Sequence, residues 1–464
     1  MSGSPKIQWA RLAALKPLPR AALSAAAAPA AAREASPPAS GDSLARLLGG
    51  ERVGNHYGEF LRVQRWFSEP AEFTPVPRAL EILAPGAPPA AADPSQWMFL
   101  DTETTGLAGG TGTYAFLVGM AWWESGGLRV EQLFMRDFDQ EHSLLLELAG
   151  RLADRRVLVT FNGKTFDWPL LETRFRMTRQ IEPRLPVAHL DLLHPARQVW
   201  RMRLGSVRLA ELEREVLGFD RGPDLWSQMI PQLYFDYLRG GEEAAPPLAD
   251  VFRHNQMDLR GLATLAARMM DLCAHPERTE ADPLDLYGIS RLLRNRGDRT
   301  RARQLYERSL EAGLPTALDR AARRELAALA KRDGDLPRAV DLWQQLSAGA
   351  GAGGASASEP EDLFALEALE QLALYYERRV RQPERAAGLA REALAALRVG
   401  ARTTHPPGMR ATRLAERLEK RLRRLERPKG GSPGRPGIPC PQNCLPGHEK
   451  TRYGAVWQAR TGDK

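Results

Sequence analysis

Apolar residues along this chain follow two regimes. Between Trp97 and Cys273, compact apolar or β-branched runs alternate with stretches whose apolar residues recur every three or four positions, which predicts strands interleaved with amphipathic helices. Trp97–Leu100, Tyr114–Trp123, Leu128–Met135 and Val157–Phe161 read as strands. His142–Ala153 reads as a helix with Leu145, Leu148 and Leu152 on one face, and Asp167 opens another that runs to about Phe175. His189–Trp200 is a short apolar piece followed by a helix, and Ser206–Gly218 is a helix with Ser206 as its cap and Gly218 as its stop. Leu248–Cys273 is a long helix that buries Val251, Phe252, Leu259, Leu262 and Leu265. After Pro283 only helical periodicity remains. The expected architecture is an α/β domain over 95–275, a mixed sheet flanked by helices, followed by an all-α region over 283–427.

The flanks differ in composition. Residues 1–41 are rich in Ala, Pro and Ser and read as disordered; Ala21–Ala32 lacks the leucine core of a signal or transit segment. Residues 42–94 form a lead-in: a short helix at Ser43–Leu48, an extended piece at Gly54–Phe67 whose Tyr57, Phe60, Val63 and Trp66 pack on the next domain, and a loop at Ala84–Pro94. In the helical region, Gly297-Asp298, Ala302 and Tyr306 recur as Gly334-Asp335, Ala339 and Trp343, close to the roughly 34-residue tetratricopeptide period. A third helix pair spans Glu361–Leu397. The Gly- and Ala-rich 349–358 stretch reads as a flexible linker, and 428–464 as a disordered tail. Such stacked pairs offer a surface for a protein partner or for guiding nucleic acid, or simply pack on the α/β domain.

Composition narrows the class. With 464 residues and 43% hydrophobic content the chain supports more than one core. Its uncharged apolar runs stop short of the roughly 18 residues a membrane span needs, so a non-membrane, cytoplasmic protein is expected. A formal charge of +8 favours polyanionic partners. Three cysteines imply no disulfide framework, and Cys440, Cys444 and His448 lack a fourth metal ligand nearby. The Arg410–Arg427 helix, with Leu414, Leu418, Leu422 and Leu425 on one side, either meets a polyanion or caps the helical region with a solvated face.

The chemistry begins at Asp101 and Glu103. Two positions apart at a strand's end, they point to one face, and two carboxylates held that close call for a positive charge between them, most simply a divalent cation. The Gly-rich LAGGTGT segment, Leu107–Thr113, joins strand to strand without Lys-Ser or a helix behind it, so it is a turn beside the acids and no nucleotide P-loop. Asp167 follows a strand and opens a helix, as a ligand or as a cap. Asp191, between Leu190 and Leu192, reads as a structural hydrogen-bonding residue. His254 and Asp258 share one helix face.

DTETTG, then FNGKTFDWPLL, then HNQMD, in that order, resemble the motifs of the DEDD exonuclease superfamily on the ribonuclease H-like fold. The chain also resembles the bacterial YprB-type ribonuclease H-like proteins, which join such a domain to helical repeats, over about 97–272. The resemblance implies a metal-dependent 3′–5′ exonuclease in which Asp101, Glu103, Asp167 and Asp258 hold two Mg²⁺ or Mn²⁺ ions and His254 takes a proton from the attacking water. It also implies nucleic-acid contacts at Thr104, Thr105, Gly106 and Leu107, with Asn162 and Asn255 beside them. One departure stands out. Three residues separate His254 from Asp258, the spacing of the branch that uses tyrosine rather than histidine. The alternative is a non-catalytic nucleic-acid-binding or scaffold protein that keeps the fold and binds partners through its repeats.

Overall fold

The computed structural model describes residues 43–70, 72–106, 110–124, 126–222, 227–278, 281–348, 360–403 and 408–427. The expectations for residues 1–41, the 349–358 linker, the 428–464 tail, Leu107 and the Cys440, Cys444 and His448 group lie outside the described residues. The chain divides into two units, Met1–Leu314 and Pro315–Lys464.

In the first unit, seven strands form one sheet: β1 (Glu51–Asn55), β2 (Gly58–Phe67), β3 (Trp97–Thr104), β4 (Ala115–Glu124), β5 (Gly127–Phe134), β6 (Val157–Thr160) and β7 (Ala188–Asp191), in the order β1-β2-β5-β4-β3-β6-β7. The first five pair antiparallel, and β3, β6 and β7 run parallel. Residues 115–123 of β4 are buried without alternation, as a strand covered on both faces requires. β3 is buried through Trp97, Met98, Phe99 and Leu100, then becomes half-buried from Asp101 onward. The parallel trio therefore aims three carboxyl-terminal ends at one rim, where open α/β sheets place their sites.

Helices flank this sheet: α1 (Ser43–Leu48), α2 (Pro77–Leu83), α3 (Glu141–Ala153), α4 (Asp167–Thr178), α5 (Leu193–Leu204), the short α6 (Leu209–Leu212), α7 (Ile230–Gly240) and α8 (Leu248–Ala274). α8 buries the five apolar residues its periodicity predicts. α7 seats Tyr234 against Phe116 in a parallel stack, with ring centroids 4.0 Å apart. Helix α6 passes into a single π-helical turn, Glu213–Leu217, ended by Gly218 at φ +69°. Its amino-terminal cap position falls at Arg208, not at the expected Ser206.

Both flanks of the α/β domain pack into the first unit. The extended lead-in joins the sheet itself, where β2 pairs with β5 from Leu61↔Phe134 to Phe67↔Leu128. Helices α9 (Pro283–Asn295) and α10 (Arg299–Glu311), expected to begin the helical region at 283, belong to the first unit. Gly288 of α9 lies so close to the backbone of Val199 in α5 that a Cβ would overlap it. Arg203 grips Asp285 with Nε 2.9 and 3.0 Å from its two carboxylate oxygens.

The second unit is all helix among its described residues: α11 (Thr316–Asp333), α12 (Leu336–Ser347), α13 (Pro360–Tyr375), α14 (Pro383–Thr403) and α15 (Met409–Leu425). The recurrence seen in the sequence has a local structural counterpart. Gly297 and Gly334 adopt φ of +83° and +84°, and Asp298 and Asp335 each accept a backbone N–H of the helix that follows. Ala302, Ala339, Tyr306 and Trp343 are buried. On α15, Leu414 and Leu418 are buried, while Arg417 pairs with Glu370 at 2.7 Å and Arg421 and Arg424 pair with Glu377 at 2.5 Å each. Much of the basic face is thus committed within the unit.

Candidate active site

The site starts from β3. Its four buried residues fix the strand in the sheet, and a register shift between Glu103 and Thr104 breaks the regular pairing with β4 at its end. Asp101 faces Gly119 of β4 across the ladder. A Cβ on Gly119 would overlap the carboxamide of Asn255, a fully buried residue of α8. In that space Asn255 Nδ2 donates to Asp101 Oδ2 at 2.8 Å. Its orientation is fixed from behind. Gln132 Nε2 donates to Asn255 Oδ1 at 2.8 Å and to the Phe252 carbonyl at 2.9 Å, and Gln256 Nε2 donates to Gln132 Oε1 at 2.7 Å. Expected as a nucleic-acid contact, Asn255 is instead buried beneath Asp101, because the missing Gly119 side chain lets it pack there.

Asp167 is the first residue of α4, set by the turn that joins β6 to it. Asn162 takes φ +69°, and Gly163 fits against Thr160 where a Cβ could not. Asp191, at the end of β7, accepts N–H groups of Asn162 at 2.8 Å, Lys164 at 3.1 Å and Leu193 at 3.1 Å. It holds the turn, the structural hydrogen-bonding role expected of it. Asp167 is not the helix cap; that position falls to Phe166. Its Oδ1 accepts from the Thr102 hydroxyl at 2.6 Å and the Thr102 N–H at 3.2 Å, which ties α4 to β3 beside Asp101.

The third segment is α8. His254 Nε2 lies 3.5 Å from Asp258 Oδ2, one turn along the helix. Arg221 holds the other oxygen, with Nη2 2.5 Å from Asp258 Oδ1. The same guanidinium pairs with Glu213, which is fully buried at the start of the π-helical turn. Glu213 occupies the slot left by Gly261, three residues beyond Asp258, where a Cβ would collide with its carboxylate. Burial works against the charge on Arg221, yet Glu213 and Asp258 outweigh it and hold the guanidinium firmly protonated.

These elements converge electrostatically. Burial pushes the Asp101 carboxyl well above the usual carboxylate range, and Asp258, Glu103 and Asp167 each push it further, while the Asn255 hydrogen bond pulls it back. Burial also raises Asp167 against the opposing pull of Thr102. Among the described residues no three His, Cys, Asp or Glu side chains stand gathered as for an ion; Asn255 holds Asp101, Thr102 holds Asp167 and Arg221 holds Asp258. The donor set nonetheless suits a hard divalent cation, since it consists of carboxylate oxygens whose mutual repulsion a positive charge relieves. Thr104, Thr105 and Gly106 lie half-buried where β3 ends. Thr104 Oγ1 donates to the Gly106 carbonyl at 2.9 Å, and Thr105 exchanges hydrogen bonds with Tyr114. Gly119, Gln132, Glu213, Arg221 and Gly261 gave no motif in the sequence. Only the close approach of β4, the π-helical turn and α8 brings out their part.

Residues 98–270 match the model of the RNase_H superfamily, and the mixed sheet with its helices has a ribonuclease H-like fold. The chain is similar to the uncharacterized protein YprB of Bacillus subtilis (strain 168), at 33% identity over 250 residues. That similarity covers 54% of this chain and 59% of the relative.

Proposed function

We propose that the first unit is a DEDD-type, divalent-metal-dependent exonuclease that hydrolyses phosphodiester bonds from the 3′ ends of single-stranded or frayed nucleic acid. The observation that carries this reading is that Asn255, on the helix of His254 and Asp258, donates to Asp101 while Thr102, next to Asp101, donates to Asp167, so the three motif segments meet at the end of β3. In this reading Asp101, Glu103, Asp167 and Asp258 hold a pair of Mg²⁺ or Mn²⁺ ions. Such ions supply the positive charge that steadies the attacking and leaving oxygens of an in-line displacement. Asn255 keeps one Asp101 oxygen oriented, and Thr102 does the same for Asp167. His254 takes the proton as a water oxygen bonds to phosphorus and the bond to the 3′ oxygen breaks. Thr104, Thr105, Gly106 and Leu107 receive the terminal nucleotide, with Asn162 beside them. The tetratricopeptide-like helix pairs offer a protein partner a surface.

Digestion of 3′-extended DNA and RNA oligonucleotides with Mn²⁺ tests this, comparing wild type with Asp101→Ala. The expected result is shortening by the wild type alone and only with metal. One specific observation favours a second reading, a non-catalytic nucleic-acid-binding or scaffold protein: Asp258 is already paired with Arg221. Equal inactivity of both proteins on every substrate supports that reading and sinks the first.

A further inference from the structure

Arg221 is an unexpected neighbour for a carboxylate meant to hold a cation. A lone guanidinium against Asp258 would compete with the ion by cancelling the charge that attracts it. Here it is not alone. Glu213 sits behind Arg221, fully buried, in a slot that exists because position 261 is glycine. The three groups together keep one net negative charge. Arg221 fixes one Asp258 oxygen at 2.5 Å, while the other faces His254 at 3.5 Å. Rotation about the Asp258 side chain is thereby restricted without removing its attraction for a cation.

From this geometry we infer that Arg221 and Glu213 are a positioning pair for cation binding, in which Arg221 orients Asp258 and Glu213 cancels the charge Arg221 would otherwise bring. The inference rests on the proposed metal-dependent reading and assigns roles to two residues outside the four acids. Glu213→Gln keeps the shape and a hydrogen-bonding oxygen but leaves Arg221 uncompensated. Arg221→Met frees Asp258, and Arg221→Lys keeps the charge without the planar fork that reaches both carboxylates.

The test is Mn²⁺ titration of the full-length protein followed by electron paramagnetic resonance, alongside steady-state hydrolysis of a single-stranded oligonucleotide and a thermal melt. Glu213→Gln and Arg221→Met should each weaken Mn²⁺ binding by about 10- to 100-fold, the range expected when a residue supporting a metal ligand is lost. Turnover should fall with it while KM for the oligonucleotide holds, and Arg221→Lys should recover part of the loss. A purely structural pair would lower the melting temperature and leave Mn²⁺ affinity alone, which would overturn the inference. Tighter Mn²⁺ binding by Arg221→Met would also overturn it, by marking the guanidinium as a competitor. If Glu213→Gln fails to fold, Arg221→Lys carries the test. Asp101→Asn separates the two levels. If it abolishes Mn²⁺ binding while the Glu213 and Arg221 variants bind normally, only the positioning role falls; if wild type and Asp101→Asn bind alike, the metal-dependent reading falls with it.

Discussion

Gly119 faces Asp101 across β3 and β4, and the room left by its missing side chain is filled by Asn255, which hydrogen-bonds the Asp101 carboxylate. The orientation of Asp101 therefore depends on a strand that contributes no functional side chain. Gly119→Ala should expel the Asn255 carboxamide, with an overpacking penalty of about 1–3 kcal/mol, and lower turnover at least as far as loss of the Asn255 contact does. Asn255→Ala should keep the fold and lower turnover by roughly 10- to 100-fold. Chemical denaturation read beside oligonucleotide turnover checks both.

Asp101 is half-buried beside three other acids, and desolvation and their charge together favour its neutral form in the fold. Asp101→Asn should raise the melting temperature of the metal-free protein at pH 7, by about 2–4 °C for each kcal/mol of repulsion removed, while eliminating hydrolysis. Calorimetry of the two proteins in chelator measures this. An unchanged or lower melting temperature would contradict the electrostatic account.

The same shift fixes a pH dependence. Because the folded-state value of Asp101 lies above its unfolded value, its contribution to stability is fully present below the ordinary carboxylate range. It is lost as pH rises through the raised value, and Asp167 acts in the same direction. Stabilisation by added Mg²⁺ or Mn²⁺, which bind the ionised acids, should accordingly be small near pH 4 and grow toward neutrality. Thermal melts with and without metal across that range decide it.

Cys273 is fully buried in α8, and burial pushes its thiol up to about 12. At pH 8 roughly one part in ten thousand would be thiolate. Native-state alkylation followed by peptide mass spectrometry should leave Cys273 unlabelled until denaturant is added.

Much of the fold was legible because it is local. Trp97–Leu100 form a buried strand wherever they pack, and the 3.6 period of α8 predicts its core face from residue types alone. The four acids were singled out because they occupy motif positions. What stayed hidden depends on distant backbone approach. β1 and β2 looked like an extended lead-in because pairing with β5 leaves no sequence mark. Asn255 looked like a surface contact because only Gly119 shows that there is room to bury it. Arg221 lies beyond the π-helical turn, and nothing near it in sequence announces Asp258.

The position of β2 also governs how the molecule can be divided. A fragment starting at Trp97 would strip β5 of its partner and leave a row of backbone donors and acceptors bare along an apolar strand, inviting one copy to zip onto another. A well-behaved fragment of this half should start no later than Ser43.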